Sequence, residues 1–181
     1  MIGVMILIVG LGNNDKKFDN TRHNIGFFVV KKFIQEEKLN DLALNKKLNA
    51  LISINNDLIL ALPQCFMNES GKIIKKLVQY FKIDLDSLLI IHDDTDLQLG
   101  KFKIQKNRGS AGHKGVESLI NYLKSKSFWR LRIGVRSPHL KDKKAIDLVL
   151  KKFTAEEKKM ILDLWPAIHQ NIKNFIDRKQ K

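Results

Sequence analysis

Cysteine is almost absent from this chain. Its 181 residues hold one, Cys65, which rules out an internal disulfide and a thiolate cluster for zinc. The flanking LPQCFMN has no metal-ligand spacing, so Cys65 reads as a buried structural thiol. Long apolar runs are also missing: nothing approaches the roughly 18 residues a membrane-spanning helix needs. The start, MIGVMILIVGLGNND, lacks both a basic leader region and a small-residue cleavage site after its short apolar run. A soluble, cytoplasmic protein is expected. No repeat and no linker composition divides the sequence, and 44% hydrophobic content over this length can bury one substantial core. One domain over residues 1–181 is therefore expected.

Acidic residues are scarce as well, 19 against 33 basic ones, leaving a formal charge of +14. Such a charge makes polyanions natural partners, and nucleic acid is the commonest of them. All the basic residues but Arg22, Arg108, Arg130, Arg132, Arg136 and Arg178 are lysines spread along the chain. Most of those arginines lie in or beside glycine-bearing, loop-like or strand-end sequence, which suits phosphate recognition better than diffuse solubility.

The apolar pattern supplies the elements. MILIVGL (5–11) reads as a buried strand stopping at a glycine turn, and residues 24–37, with Ile25, Phe28, Val29 and Phe33 at helical spacing, as a helix. NALISI and LILALP flank the turn NND as a hairpin. Residues 68–81 carry Ile73, Ile74, Leu77, Val78 and Phe81 on one helical face. SLLIIHDD reads as a central strand ending in polar residues, KFKIQK as an exposed strand, GHKGVESLINYLKS as a helix and FWRLRIGV as a strand. From Thr154 a capping box, Thr154 with Glu157, opens a basic amphipathic helix that Pro166 is expected to interrupt. Strands alternating with helices predict an α/β fold, a single globular domain with a twisted, mixed central sheet flanked by helices.

Ligands of such sheets bind outside the carboxyl ends of strands. Asn13, the FMN turn at 66–68 and His92-Asp93-Asp94 are expected there. Each has a plainer reading: Asn13 ends a strand, Asn68 caps a helix, and His113 caps or precedes one. GLGNND begins like a dinucleotide fingerprint but has Asp15 at the third glycine position. DDTD (93–96) lacks the glycine and distal glutamate of a calcium loop. A carboxylate such as Asp93 can instead hold one nitrogen of a histidine arriving from another loop, leaving the other free to take a proton from water.

Taken together, GLGN (10–13), TRHNIG (21–26), FMNESG (66–71), HDDTDLQLG (92–100), GSAGHKG (109–115) and RLRIGV (130–135) resemble the bacterial peptidyl-tRNA hydrolase family, in order and over nearly the whole chain. The resemblance implies a monomeric esterase, without metal or cofactor, that releases stalled peptides from tRNA. It implies His23 as the general base and Asp93 as the group that orients it. Asn13 and Asn68 would bind substrate near the scissile bond, with Met67 and Gly112 lining the peptide-backbone site and His113 and Lys114 beside them. Phe18 stands where the family has tyrosine, keeping a stacking face without a hydroxyl. Arg132, with a lysine from KFKIQK, Lys103 or Lys106, resembles the clamp on the tRNA 5′-phosphate, although Gln105 occupies the position expected to be basic.

Two further departures stand out. The family's GNPG is GNND here, and its GHNG is GHKG. Lys114 thus replaces an asparagine that helps bind substrate and position water. An amide donates and accepts hydrogen bonds, whereas an ammonium only donates. The competing reading is a non-catalytic RNA-binding protein on the same fold, favoured by Lys114 and the excess positive charge. The intact His23 and Asp93 pair argues for the enzyme.

Overall fold

The computed structural model describes residues 4–140 and 144–180; the remaining positions of the expected 1–181 unit, 1–3, 141–143 and 181, lie outside the described residues. Seven strands form one mixed sheet: β1 (Ile6–Gly10), β2 (Ala43–Asn45), β3 (Ala50–Asn55), β4 (Leu58–Pro63), β5 (Leu88–Gln98), β6 (Phe102–Lys106) and β7 (Trp129–Arg136). Their spatial order is β2-β3-β4-β1-β5-β7-β6. The four inner strands, β4, β1, β5 and β7, run parallel; β2 and β3 add antiparallel at one edge and β6 at the other.

Parallel strands covered on both faces need apolar residues at every position, and β1 and β4 are buried throughout. Ile6 and Ile8 of β1 face a layer made by α1 (Ile25–Glu36) and α5 (Ala155–Gln180), while Leu7 and Val9 face α2 (Ser70–Tyr80) and α3 (Lys114–Leu123). Cys65 is free and buried in the second layer, and burial pushes its thiol up to about 11. No helix among the described residues is long and apolar enough to cross a membrane.

The expected hairpin forms, with Asn56 in the left-handed region at φ 51° and Asn55 paired to Leu58. The capping box forms too: the Thr154 N–H donates to Glu157 and the Glu157 N–H to Thr154 Oγ1. Pro166, in contrast, does not interrupt the last helix, which runs unbroken as α5. An interior proline costs about 3 kcal/mol. Burying Ile161, Trp165, Ile168, Ile172 and Phe175 returns about 1.5–3 kcal/mol per side chain, so packing wins. Two short elements escape the pattern, β2 and the five-residue α4 (Ala145–Val149).

One close crossing positions the functional region. A Cβ on Gly26 would lie 2.4 Å from the Ile91 carbonyl oxygen and 2.5 Å from the Leu11 backbone. The start of α1 therefore rests directly on the end of β1 and the middle of β5. That contact puts His23, three residues earlier, beside Asp93, two residues past Ile91.

Candidate active site

Residues Arg22–Asn24 form a single 3-10 turn that leads into α1, and all three are buried. From this turn His23 Nδ1 lies 2.9 Å from Asp93 Oδ1. The same oxygen is 2.9 Å from Nε2 of His113, the residue that caps α3. The tautomer of His113 follows from its cap: Nδ1 accepts the N–H groups of Gly115 and Val116 at 3.1 and 3.3 Å, so Nε2 carries the hydrogen and donates it to Asp93. Ionised Asp93 can only accept, so His23 donates Nδ1–H; in the neutral ring the lone pair is then on Nε2. The histidine rings lie 4.9 Å apart. Asp93 was expected at a strand end; it sits inside β5, which continues to Gln98 and pairs Asp93 with Ile133 of β7. A mid-strand position holds the carboxylate more rigidly than a loop would.

Burial alone would raise the Asp93 carboxyl, but the attraction and hydrogen bonds of His113 and His23 outweigh it and hold the group below the ordinary carboxylate range. Neighbouring His92 is fully buried, and desolvation, reinforced by His113, pushes it well below the usual histidine value. His23, Asp93 and His113 are also the one grouping among the described residues whose donor atoms, all within 4.8 Å, are close enough to hold a metal ion. Both histidine nitrogens concerned carry hydrogens bonded to Asp93, so a cation would have to displace two protons.

A second scaffold lies beneath the turn. Asn24 locks Asn13 at two points, accepting its backbone N–H and donating Nδ2 to its carbonyl, both at 2.9 Å. Asn13 Oδ1 accepts the Met67 N–H at 2.8 Å, which leaves its Nδ2 end for a ligand. Met67 itself buries its side chain in the α2/α3 layer. Asn68 is exposed inside a 3-10 turn and caps nothing, so the plainer reading of it as an N-cap fails. Asn24 was not foreseen; its only signal was a second amide beside the histidine.

His23, Asp93 and His113 border a cleft of about 200 Å3 whose lining also includes Gly112, Lys114 and, from α4, Ile146 and Val149. Gly112 has φ 77°, a conformation glycine adopts without strain. Lys114 is two-thirds exposed, its Nζ 3.2 Å from Glu117. Asn13, Phe18, Met67 and Asn68 do not line this cleft. Phe18 is half-buried in its own short turn under Lys17.

A sequence model of the family described as peptidyl-tRNA hydrolase matches residues 7–181. The chain belongs to the peptidyl-tRNA hydrolase family. It is 37% identical over 179 residues to the peptidyl-tRNA hydrolase of Mycoplasma capricolum, covering 97% of this chain and 95% of that one. With that of Oceanobacillus iheyensis the identity is 43% over 165 residues, covering 88% and 86%. The crystal structure of peptidyl-tRNA hydrolase from Acinetobacter baumannii matches with a TM-score of 0.88 at 26% identity, over 98% of this chain and 91% of that one.

The residues resembling the family's phosphate clamp sit on β6 and β7. Arg132 is buried, its Nε 2.6 Å from Asp94 Oδ2 and its Nη1 on Gln105, the residue at the position expected to be basic in the peptidyl-tRNA hydrolase pattern. Lys106 is paired with Asp86, while Lys103 is exposed. The broader expectation that the arginines face phosphates needs correction. Arg22 and Arg130 are buried to 1% exposure, and Arg136 donates to the carbonyls of Thr95 and Leu140.

Proposed function

We propose that this chain hydrolyses the ester joining a peptide, or an N-blocked amino acid, to the 3′ ribose of tRNA, and so recycles tRNA from prematurely released peptidyl-tRNA. The observation that carries this reading is one carboxylate oxygen, Asp93 Oδ1, that takes N–H bonds from two histidines, of which His23 borders the cleft with Nε2 as its remaining ring nitrogen.

Water held against Nε2 gives up a proton as its oxygen attacks the ester carbonyl carbon, and the imidazolium that forms is stabilised by Asp93. The tetrahedral intermediate places negative charge on the former carbonyl oxygen, which needs hydrogen-bond donors. Asn13, with its amide oxygen tied to Met67 and its Nδ2 available, is one donor of the right kind. Collapse expels the ribose 3′-oxygen, which takes the proton back from His23 Nε2. The products are a peptide with a free carboxylate and tRNA with a free 3′ hydroxyl. Exposed Asn68 and the Gly112 loop supply polar groups for the peptide backbone, a contact that a free aminoacyl group lacks. The net charge of +14 suits attraction of the tRNA as a polyanion, with recognition by shape and phosphate rather than by base sequence. We read the active species as a cytoplasmic monomer that requires no metal.

The test is cleavage of N-acetylated aminoacyl-tRNA by the wild type and by His23→Ala. Loss of the general base lowers kcat by about 10²- to 10⁴-fold while tRNA binding persists. A wild type that binds tRNA and releases no acyl-amino acid, or a His23→Ala variant of full activity, would sink the reading.

A further inference from the structure

The residue before the candidate base is engaged more completely than any phosphate-binding arginine should be. A guanidinium has five N–H donors in a rigid plane, and Arg22 directs all three of its nitrogens inward. Nε donates to the Val135 carbonyl at 3.3 Å. Nη1 donates to the carbonyls of Lys151 and Lys152 at 3.1 and 2.9 Å. Nη2 lies 2.6 Å from both oxygens of Glu157. The two side chains are 2% and 4% exposed. Glu157 in turn takes the Ser137 hydroxyl and closes the capping box of α5. The backbone is stitched along the same seam: Arg22 N–H to the Lys151 carbonyl at 3.0 Å, and Phe153 N–H to the Asn20 carbonyl at 3.2 Å.

This seam joins His23 to α4, another part of the lining of its cleft. Lys151 and Lys152 come just after Leu150, the C-cap of α4, whose Ile146 and Val149 line the cleft that His23 borders. A buried ion pair is weak grounds for a stabilising role, since the cost of desolvating two charges offsets most of their attraction. What five directional bonds on a rigid plane do supply is position. We propose that Arg22, held by Glu157, is a positioning residue for the reaction: it fixes the His23 ring on Asp93 and sets the distance from that base to the α4 wall.

The inference rests on His23 being the base, so the experiment separates the two. In Arg22→Lys the charge opposite Glu157 remains, but three donors at one point cannot serve Val135, Lys151 and Lys152 together with the carboxylate. Its kcat for N-acetyl-aminoacyl-tRNA is expected to fall by about 10- to 100-fold, the usual consequence of a small displacement at a reacting centre. KM stays nearly constant, and the low-field proton resonance of His23 Nδ1–H broadens as its bond to Asp93 loosens. Glu157→Gln, which conserves volume and one acceptor oxygen, should show the same two effects and serves if the lysine variant fails to fold. A variant melting at lower temperature with kcat and the Nδ1–H resonance unchanged well below its midpoint would overturn the proposal, leaving Arg22 a structural strut. A rise in KM at constant kcat would overturn it as well. Full activity in His23→Ala is the separate result that would remove the base reading itself.

Discussion

Replacing His113 by alanine and, separately, by asparagine divides two roles that one ring combines. Its Nδ1 caps α3 by accepting two backbone N–H groups, and its Nε2 holds Asp93 at 2.9 Å. Asparagine is a good N-cap but too short to reach Asp93, whereas alanine does neither. Losing the cap costs about 1 kcal/mol. Losing a hydrogen bond to a charged group costs about 1.5–3 kcal/mol. Alanine is therefore expected to destabilise by about 2.5–4 kcal/mol and asparagine by about 1.5–3 kcal/mol. For a chain of this size each kcal/mol moves Tm by about 2–4 °C, so calorimetry should separate the two variants by that interval. Activity should not separate them. Among the described residues Asp93 Oδ2 has no hydrogen-bond partner, so the two N–H bonds at Oδ1 define how the carboxylate is turned. With one gone, kcat on N-acetyl-aminoacyl-tRNA should drop about 10- to 100-fold in both variants. Acid unfolding supplies a third readout. The Asp93 carboxyl is depressed in the folded state, so its contribution to stability is complete above the ordinary carboxylate range and is lost as pH falls through its folded value. Removing His113 takes away the largest of the influences that lower it, and the acid midpoint of both variants should move to higher pH. Wild-type kcat in His113→Asn would refute this reasoning and leave His113 a helix cap alone.

Lys114→Asn should leave stability unchanged, because an exposed pair with Glu117 is worth about 0.5 kcal/mol at most; turnover should equal or exceed the wild type, and a collapse of kcat would show that the lysine has a catalytic part. Arg132→Ala should reduce the slope of log tRNA affinity against log salt by about 1. It should also cost stability, since buried Asp94 loses the guanidinium 2.6 Å away. An unchanged salt slope would take Arg132 out of the phosphate contact.

Most of the fold was legible because its signals are local and strong. The runs of β1, β4 and β5, the hairpin turn and the faces of α2 and α3 each follow from periodicity. The errors have specific causes. Pro166 was weighed as a local breaker, and only the long stripe from Ile161 to Phe175 packing on the sheet overrides it. Three-residue β2 is too short for an alternation to register, and five-residue α4 spans little more than one helical turn. Of the site, His23, Asp93 and His113 were named in advance, but their joining at one oxygen was not readable from residues 70 and 20 positions apart. Asn24 and Arg22 were in plain view inside TRHNIG. Their partners are Asn13 and Glu157, 11 and 135 positions away, and no spacing rule links them.

The arginines change how the basic charge must be read. Arg22, Arg130, Arg132 and Arg136 all direct guanidinium hydrogens to groups inside the protein, and Arg178 stacks over Trp129. Rigid planar forks are thus used mainly to hold loops and strand ends in register around the cleft, where fixed geometry matters. Apart from Arg132, whose phosphate contact the salt slope tests, attraction for a polyanion then falls chiefly to the lysines, whose flexible point charges suit phosphates at variable positions and carry no base code. This division fits the proposed recognition of tRNA by shape and phosphate, with the chemistry held to tight tolerance. On the proposed mechanism it also makes binding steeply salt-dependent, while a catalytic step at the buried Asp93 and its two histidines is screened far less.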